Sequence, residues 1–515
     1  MHTQQTALIS VSQRHGILDV AAALRARNIA LVATSGTYAY LTEHGIEARE
    51  VGSVTGFPEL FEGRVKTLHP AIFGGLLADR DKPLHCEQAC EHGIAPFSLL
   101  IVNLYPFQET VARPDVTLPE AIEEIDIGGV ALIRAAAKNY RHVTVVTHPE
   151  QYPAIIAGEV DLETRRLFAV RAFSHTAEYD ASISRYLEAG CVPESLPGSL
   201  TLTLPLAKSL RYGENPQSRA AFYLPREESL PDQLWGKELS YNNLLDLDAT
   251  LRLLVRSPRG IALPMTSQRV RVAIVKHTVP CGVAEAVTAL DAVIAALAAD
   301  PVSAYGGIVA LDAPVDLPTA ERLADFFLEI VAAPGFDDNA LALLKRKKNL
   351  RILRYPLGLP ERLLGELRLR SALRGVLAED DDPTAIEETW RVVSERQPTE
   401  QEWTDLVLAW DVVRHVKSNG AVFVKDSVTR GIGAGQTNRV SSVRIAGIAA
   451  ADQARGAACA SDGFFPFPDG LETAASYGCA AIIAPAGSIR DAEVIASADR
   501  HRISLVFSNR RYFLH

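Results

Sequence analysis

The chain is 515 residues long, 48% hydrophobic and 22% charged, with a formal net charge of −10. That length exceeds one ordinary core and calls for about two to four domains, and the composition excludes a disordered or low-complexity chain. The acidic balance argues against a general nucleic-acid binder, whose surface must neutralise phosphates, but leaves room for a small anion held by a local cationic cluster.

The first residues carry no basic region followed by an apolar stretch, so no secretory leader is expected. Strand and helix then alternate. Residues 7–11 read as a short apolar strand, Ile17, Val20, Ala21 and Leu24 recur at helical spacing, and residues 29–33 read as a second strand. Thr34, Ser35, Gly36 and Thr37 follow it and open a helix. Free amides at a helix start, with hydroxyls and a glycine, suit a phosphate; they also suit an ordinary cap. If residues 62–67 are extended, Arg64 and Lys66 share a face, where two cations repel unless an anion lies between them. A solvated edge strand gives the same pattern.

His85, Cys86, Cys90 and His92 are close in sequence, but their spacing suits no common zinc module, and an amphipathic helix ending at Gly93 is expected. Strands at 99–103 and 142–147 complete a βαβ rhythm that predicts a parallel sheet covered by helices. The apolar run at 99–102 is far too short for a membrane span. Tyr105 lies just past a strand's C-terminal end, where open α/β sheets place ligands. Asp126 precedes Gly128 and Gly129 and is a candidate to move a proton. Arg134 and Lys138, four apart on the next helix, share a face; an anion or plain solvent relieves their repulsion.

The proline-rich stretch 191–205 reads as a linker, with a boundary near residue 198. The part 199–515 is large for one core and is expected to hold two subdomains, with strands at 270–275, 308–311 and 503–507 and no internal repeat visible in the sequence. Lys276 and His277 end the first of these strands. Successive strand residues face opposite sides, so both reach one site only if the chain bends there, and Pro280 and Gly282 make a bend credible. A nearby ammonium keeps the imidazole neutral and able to take a proton. Arg211 and Tyr212 precede a turn and can clamp a phosphate, while residues 240–243 (SYNN) offer amides to a carboxamide. Residues 431–436 (GIGAGQ) lack the acidic partner of a dinucleotide fingerprint and read as a strand and tight turn. Residues 464–467 (FFPF) read as core or as the wall of a heterocycle pocket. The basic stretch 344–349 reads as a solvated helix end. The six cysteines, including Cys191, are sparse and fit a reduced chain.

Taken in order, 63–70 (GRVKTLHP), 103–107 (NLYPF), 125–129 (IDIGG), 134–139 (RAAAKN), 211–216 (RYGENP), 431–436 (GIGAGQ) and 464–467 (FFPF) run nearly the length of the chain. They resemble the bifunctional phosphoribosylaminoimidazolecarboxamide (AICAR) formyltransferase/inosine monophosphate (IMP) cyclohydrolase family. The resemblance implies an α/β chain. A methylglyoxal-synthase-like parallel-sheet domain, residues 1–198, closes the purine ring. A transformylase part, residues 199–515, is built of two cytidine-deaminase-like subdomains without zinc. It implies Lys66, Tyr105, Asp126 and Lys138 as catalytic for ring closure and Lys276 and His277 for formyl transfer. It implies substrate binding by Ser10, Ser12, Arg14, Thr34, Ser35, Gly36, Thr37, Arg64 and Thr67 in the first site. In the second it implies Arg211, Tyr212, Asn242, Asn419, Arg439, Phe465 and Arg511. 10-Formyltetrahydrofolate is the implied cosubstrate, with no metal, in a cytoplasmic homodimer whose transformylase sites lie at the interface. Four departures from the family pattern stand out. Arg14 replaces a lysine, Ser35 replaces a glycine and is strained if its φ is positive, Val279 replaces a polar residue, and Pro468 replaces an arginine.

Overall fold

The computed structural model describes residues 5–113, 115–158, 160–189, 196, 198–225, 228–256, 269–364, 367–380 and 388–515. Cys191, with residues 192–195 and 197 of the stretch read as a linker, lies outside the described residues. The chain divides into two compact units, Met1–Leu204 and Pro205–His515. Among the described residues no helix is long and apolar enough to cross a membrane.

The first unit is built on five parallel strands: β1 (Thr6–Val11), β2 (Ala30–Ala33), β3 (Arg49–Glu50), β4 (Leu99–Asn103) and β5 (Thr144–Val146). Their order in the sheet is β3-β2-β1-β4-β5. The central strands are buried on both faces, as expected when helices cover a parallel sheet. The strand order reverses between β1 and β4, and a doubly wound sheet opens a crevice at such a point, outside the C-terminal strand ends.

The second unit carries β6 (Leu206–Leu210), β7 (Ala220–Tyr223), β8 (Asp232–Trp235), β9 (Val270–Lys276), β10 (Val279–Ala286), β11 (Ile308–Leu311), β12 (Ile330–Ala333) and β13 (Arg351–Arg354). It continues with β14 (Leu367–Ala372), β15 (Gly375–Asp380), β16 (Trp390–Val392), β17 (Ala421–Lys425), β18 (Val428–Gly433), β19 (Ala458–Ser461), β20 (Ala481–Pro485) and β21 (Ser504–Ser508). β6 pairs with β7 and β14 with β15; the rest form one twelve-stranded sheet, β16-β21-β20-β19-β17-β18-β10-β9-β11-β12-β13-β8.

That order is a repeat. From the centre outward, each half has an antiparallel hairpin (β10–β9, β18–β17), an antiparallel neighbour (β11, β19), two further parallel strands (β12 and β13, β20 and β21) and an antiparallel edge strand (β8, β16). The halves join where β10 runs antiparallel to β18, Ala284 opposite Val428. Two glycines mark the correspondence. A Cβ on Gly282 would lie 2.2 Å from the Ala296 carbonyl oxygen, and one on Gly431 would lie 1.9 Å from that of Ala446. Each hairpin presses its backbone onto the helix that follows, which only glycine permits. The sequence shows no such repeat because the backbone plan needs only the burial pattern and a few fixed positions; the other side chains have diverged.

The GIGAGQ stretch is the end of β18 followed by a turn with Gly435 at φ 69°, as its glycines suggest. The basic stretch 344–349 does follow a helix, Asp338–Leu344, but is not wholly solvated: Lys347 Nζ donates to the Phe326 carbonyl at 2.7 Å.

Candidate active sites

The first unit has a cleft of about 790 Å³ at the C-terminal ends of β1, β2 and β4. Ser10, Ser12, Arg14, Thr34, Gly36, Thr37, Arg64, Lys66, Thr67, Tyr105 and Asp126 all line it. Asn103, at the end of β4, ties its floor together: its Oδ1 accepts from the Ser12 hydroxyl at 3.1 Å and the Gln13 amide at 3.1 Å. The helix Ser35–Glu43 begins in the cleft, and its cap residue Thr34 makes no side-chain capping bond. The Thr34 hydroxyl donates instead to Ser10 Oγ at 3.1 Å, which leaves the amides of the first helical turn for an anion.

Lys66 Nζ donates to the Tyr105 hydroxyl at 3.3 Å. Asp126 Oδ1 accepts the Gly129 amide at 2.7 Å. Burial pushes the Asp126 carboxyl above its ordinary value, against the Gly129 amide and Lys66, which pull it down. A Cβ on Gly129 would lie 2.4 Å from Asp126 Oδ2, so only glycine fits this helix start. The Asp126 amide donates to Tyr179 Oη at 2.8 Å, and burial pushes that phenol up to about 12.

Some expectations change. Residues 62–67 are not extended: Phe61–Gly63 form a single 3-10 turn, and only Leu60 and Val65 make an isolated bridge. Arg64 and Lys66 reach the cleft from a turn, and Arg64 is paired there with Glu123. Ser35 takes a helical conformation, outside the positive-φ residues, so the strain anticipated there is absent; its hydroxyl donates to Glu59 Oε2 at 2.8 Å, and it does not line the cleft. Lys138 is not in the cleft either. It ends the helix Gly128–Lys138, whose first residues form the cleft wall, and eleven residues of helix carry it to a separate groove of about 590 Å³ shared with Arg134, Arg166 and Phe173. His85, Cys86, Cys90 and His92 do not assemble: His85 Nδ1 accepts the Asp79 amide, and the Cys86 thiol lies against the Arg80 carbonyl.

In the second unit a cavity of about 680 Å³ is lined by Lys276, His277, Val279, Cys281, Asp300 and Arg430, among others. His277 and Thr278 form the two-residue turn between β9 and β10, with φ of 56° and 60°. The bend needed to bring Lys276 and His277 to one place is therefore this left-handed turn, while Pro280 and Gly282 mark a register shift further along. Lys276 Nζ donates to the Tyr305 carbonyl at 2.8 Å. Burial pushes the Cys281 thiol up to about 12, which makes it a poor nucleophile.

Asn242 sits exposed at the start of the helix Tyr241–Arg252, its Nδ2 3.4 Å from the Glu214 carbonyl. Asn243 is taken up by the fold: it completes a capping box with Ser240 and donates to Glu329 at 2.9 Å. Arg211 stacks 4.7 Å over the Tyr212 ring and donates to its hydroxyl at 2.8 Å. Arg439 is buried, paired with Asp462 and donating to Ser461 Oγ at 2.7 Å and Asn419 Oδ1 at 2.8 Å; it orders Asn419 rather than offering a free cation. Phe465 is buried, and a Cβ on Gly470 would lie 2.5 Å from its ring. Arg511 is exposed and stacks 4.9 Å over Phe513. None of Arg211, Tyr212, Asn242, Asn419, Arg439, Phe465 and Arg511 lines the Lys276–His277 cavity.

The family model for the AICARFT/IMPCHase bienzyme matches residues 136–449, and that for the MGS-like domain matches residues 16–131. The bifunctional purine biosynthesis protein PurH of Anoxybacillus flavithermus is 47% identical over a 525-residue alignment covering 99% of this chain and 100% of its own. That of Bacillus cereus (strain AH187) is 46% identical with the same coverage. The chain belongs to the AICARFT/IMPCHase bienzyme family. It is a bifunctional enzyme of purine biosynthesis, an AICAR formyltransferase and IMP cyclohydrolase. The crystal structure of ForH aligns with 36% of this chain and 99% of its own at 31% identity, with a TM-score of 0.34, too loose a superposition to argue from.

Several residues at or behind the two cavities carry no obvious signal in the sequence. Glu123 and Tyr179 act on Arg64 and Asp126 across 59 and 53 residues of chain. Arg430 lines the second cavity, and Asp246 holds the backbone of its turn, only through the fold. Asn103 was within reach of sequence reasoning, as the polar residue ending a buried strand beside Tyr105.

Proposed function

We propose that the two reactions are divided between residues 1–198, which close the ring of formylated AICAR to IMP, and residues 199–515, which formylate AICAR from 10-formyltetrahydrofolate. The convergence of Lys66, Tyr105 and Asp126 beside the uncapped helix start of Ser35–Glu43 supports the first assignment. The helix start, with Ser10, Ser12 and Arg14, takes the nucleotide phosphate. The carboxamide nitrogen attacks the formyl carbon and a carbon–nitrogen bond forms; the carbon–oxygen bond then breaks and the former formyl oxygen leaves as water, which carries off the equivalent of one proton from the carboxamide nitrogen and one from the formamide nitrogen. Lys66 stabilises the charge that develops on that oxygen, and Tyr105, within hydrogen-bonding reach of Lys66, relays a proton to it. Asp126, with its raised affinity for a proton, takes the one released by nitrogen.

In formyl transfer the 5-amino nitrogen of AICAR attacks the formyl carbon, the bond from that carbon to folate N10 breaks, and N10 gains a proton. His277 removes the proton from the attacking amine, and Lys276 favours the developing oxyanion. Residues of both repeats complete the site. The homodimer reading is supported by the apolar surface around the cavity: Val302, Tyr305, Ile445 and Ile448 are all exposed beside its lining residues. The sparse, free cysteines among the described residues fit a cytoplasmic enzyme. Following each half-reaction separately tests the assignment. Lys66→Met should abolish ring closure and spare formyl transfer, and His277→Ala the reverse; loss of both steps in either variant would refute the division.

A further inference from the structure

The carboxylate of Asp246, on the helix Tyr241–Arg252, accepts two successive backbone amides: His277 at 3.2 Å through Oδ2 and Thr278 at 2.7 Å through Oδ1. Those amides belong to the turn that carries the catalytic histidine. Both residues stand in the left-handed region, at φ 56° and 60°, although neither is glycine. A side chain is disfavoured in that region, and the surroundings must over-determine the conformation for it to persist.

The second repeat holds the same device. Asp405, on the helix Glu400–Val413, accepts the amides of Asp426 at 3.1 Å and Ser427 at 2.7 Å, and that turn has φ of 56° and 60°. The preceding lysines match as well: Lys276 donates to the Tyr305 carbonyl and Lys425 to the Arg455 carbonyl, each at 2.8 Å. The second turn has Asp426 where the first has His277, and that difference separates what the carboxylate does for the fold from what it does for the reaction.

We propose that Asp246 is a positioning residue for formyl transfer: by holding both amides of the left-handed turn, it fixes where the His277 imidazole stands at the cavity. The proposal rests on His277 as the proton acceptor. Asp246 itself reaches the turn's backbone and not the reacting atoms.

Asp246→Asn exchanges one acceptor oxygen for an amide donor, so one of the two N–H groups loses its partner. In the full-length enzyme, kcat for formyl transfer should fall about 10- to 100-fold, as small misplacements of a catalytic group do. KM for AICAR should change little, and ring closure in the same preparation should be unchanged. Adding Thr278→Gly should restore most of the lost kcat, because glycine enters the left-handed region without the side-chain penalty. Asp405→Asn should lower the melting temperature by a similar amount without a matching loss of kcat. If Asp246→Asn and Asp405→Asn lower kcat alike, in step with their melting temperatures, or if Thr278→Gly restores nothing, Asp246 is only structural and the proposal is overturned. If His277→Ala keeps full formyl transfer, the base assignment has failed and the proposal falls with it.

Discussion

Arg271 and Asp411 form a buried ion pair, with guanidinium Nη2 2.7 Å from Oδ2. Arg271 is on β9, in the first repeat, and Asp411 on the helix Glu400–Val413, in the second, so the pair fastens one repeat to the other. Glu285 closes the network, 2.8 Å from the same Nη2. Asp411→Ala leaves a buried guanidinium short of one counter-charge, and the second unit should lose about 3–5 kcal/mol of stability. Calorimetry of the intact chain should show the loss, and Arg271→Met combined with Asp411→Leu and Glu285→Gln, which leaves no buried charge unpaired, should show much less.

The same network sets an acid limit. Burial pushes the Glu285 carboxyl up, but Arg271 and Arg256 outweigh it and hold it below the usual value. A depressed carboxylate contributes stability that is present above its unfolded value and lost as pH falls through its folded one. Urea midpoints measured downward from neutral pH should fall through the acidic range, and Glu285→Gln should flatten that fall.

Asp126 shifts the other way. With its carboxyl raised by burial, the acid limb of the ring-closure rate should lie above the range of an ordinary aspartate, since a base must be deprotonated to act. Asp126→Asn should lower kcat about 100-fold or more and remove that limb. A pH–rate profile on formylated AICAR reads both.

Arg64 is paired with Glu123 across an exposed part of the cleft wall. A nucleotide that recruits Arg64 must first draw it away, and an exposed pair of this kind is worth about 1 kcal/mol or less. Glu123→Gln should therefore tighten nucleotide binding by up to about fivefold, with kcat little changed, and Arg64→Met should weaken it. Titration with IMP is the direct measurement.

The close contact at Gly431 admits no side chain, since a Cβ would meet the Ala446 carbonyl oxygen. Gly431→Ala should destabilise the second unit by about 1–3 kcal/mol, the range for overpacking. With the proposed division of the two reactions, ring closure should continue at temperatures where formyl transfer has failed.

The sequence by itself determined the strand–helix alternation of the first unit and the identity of most cleft residues. Burial periodicity and strand-end polar residues are local, and Thr34 and Tyr105 follow strands that can be read one at a time, while Ser10 came with the family motifs. The long motifs determined the family. Only the tertiary structure decided the rest, because each remaining feature joins residues far apart in the chain. Lys138 shares a helix with the cleft-forming Gly128 and Gly129, yet helical rise carries it to another groove. That Arg439 is paired with Asp462 and that Phe465 packs against Gly470 is likewise visible only in the fold. The repeat in the second unit is invisible residue by residue, since a backbone plan constrains few side chains. It emerges when β10 meets β18 and two aspartates, Asp246 and Asp405, are found holding two left-handed turns.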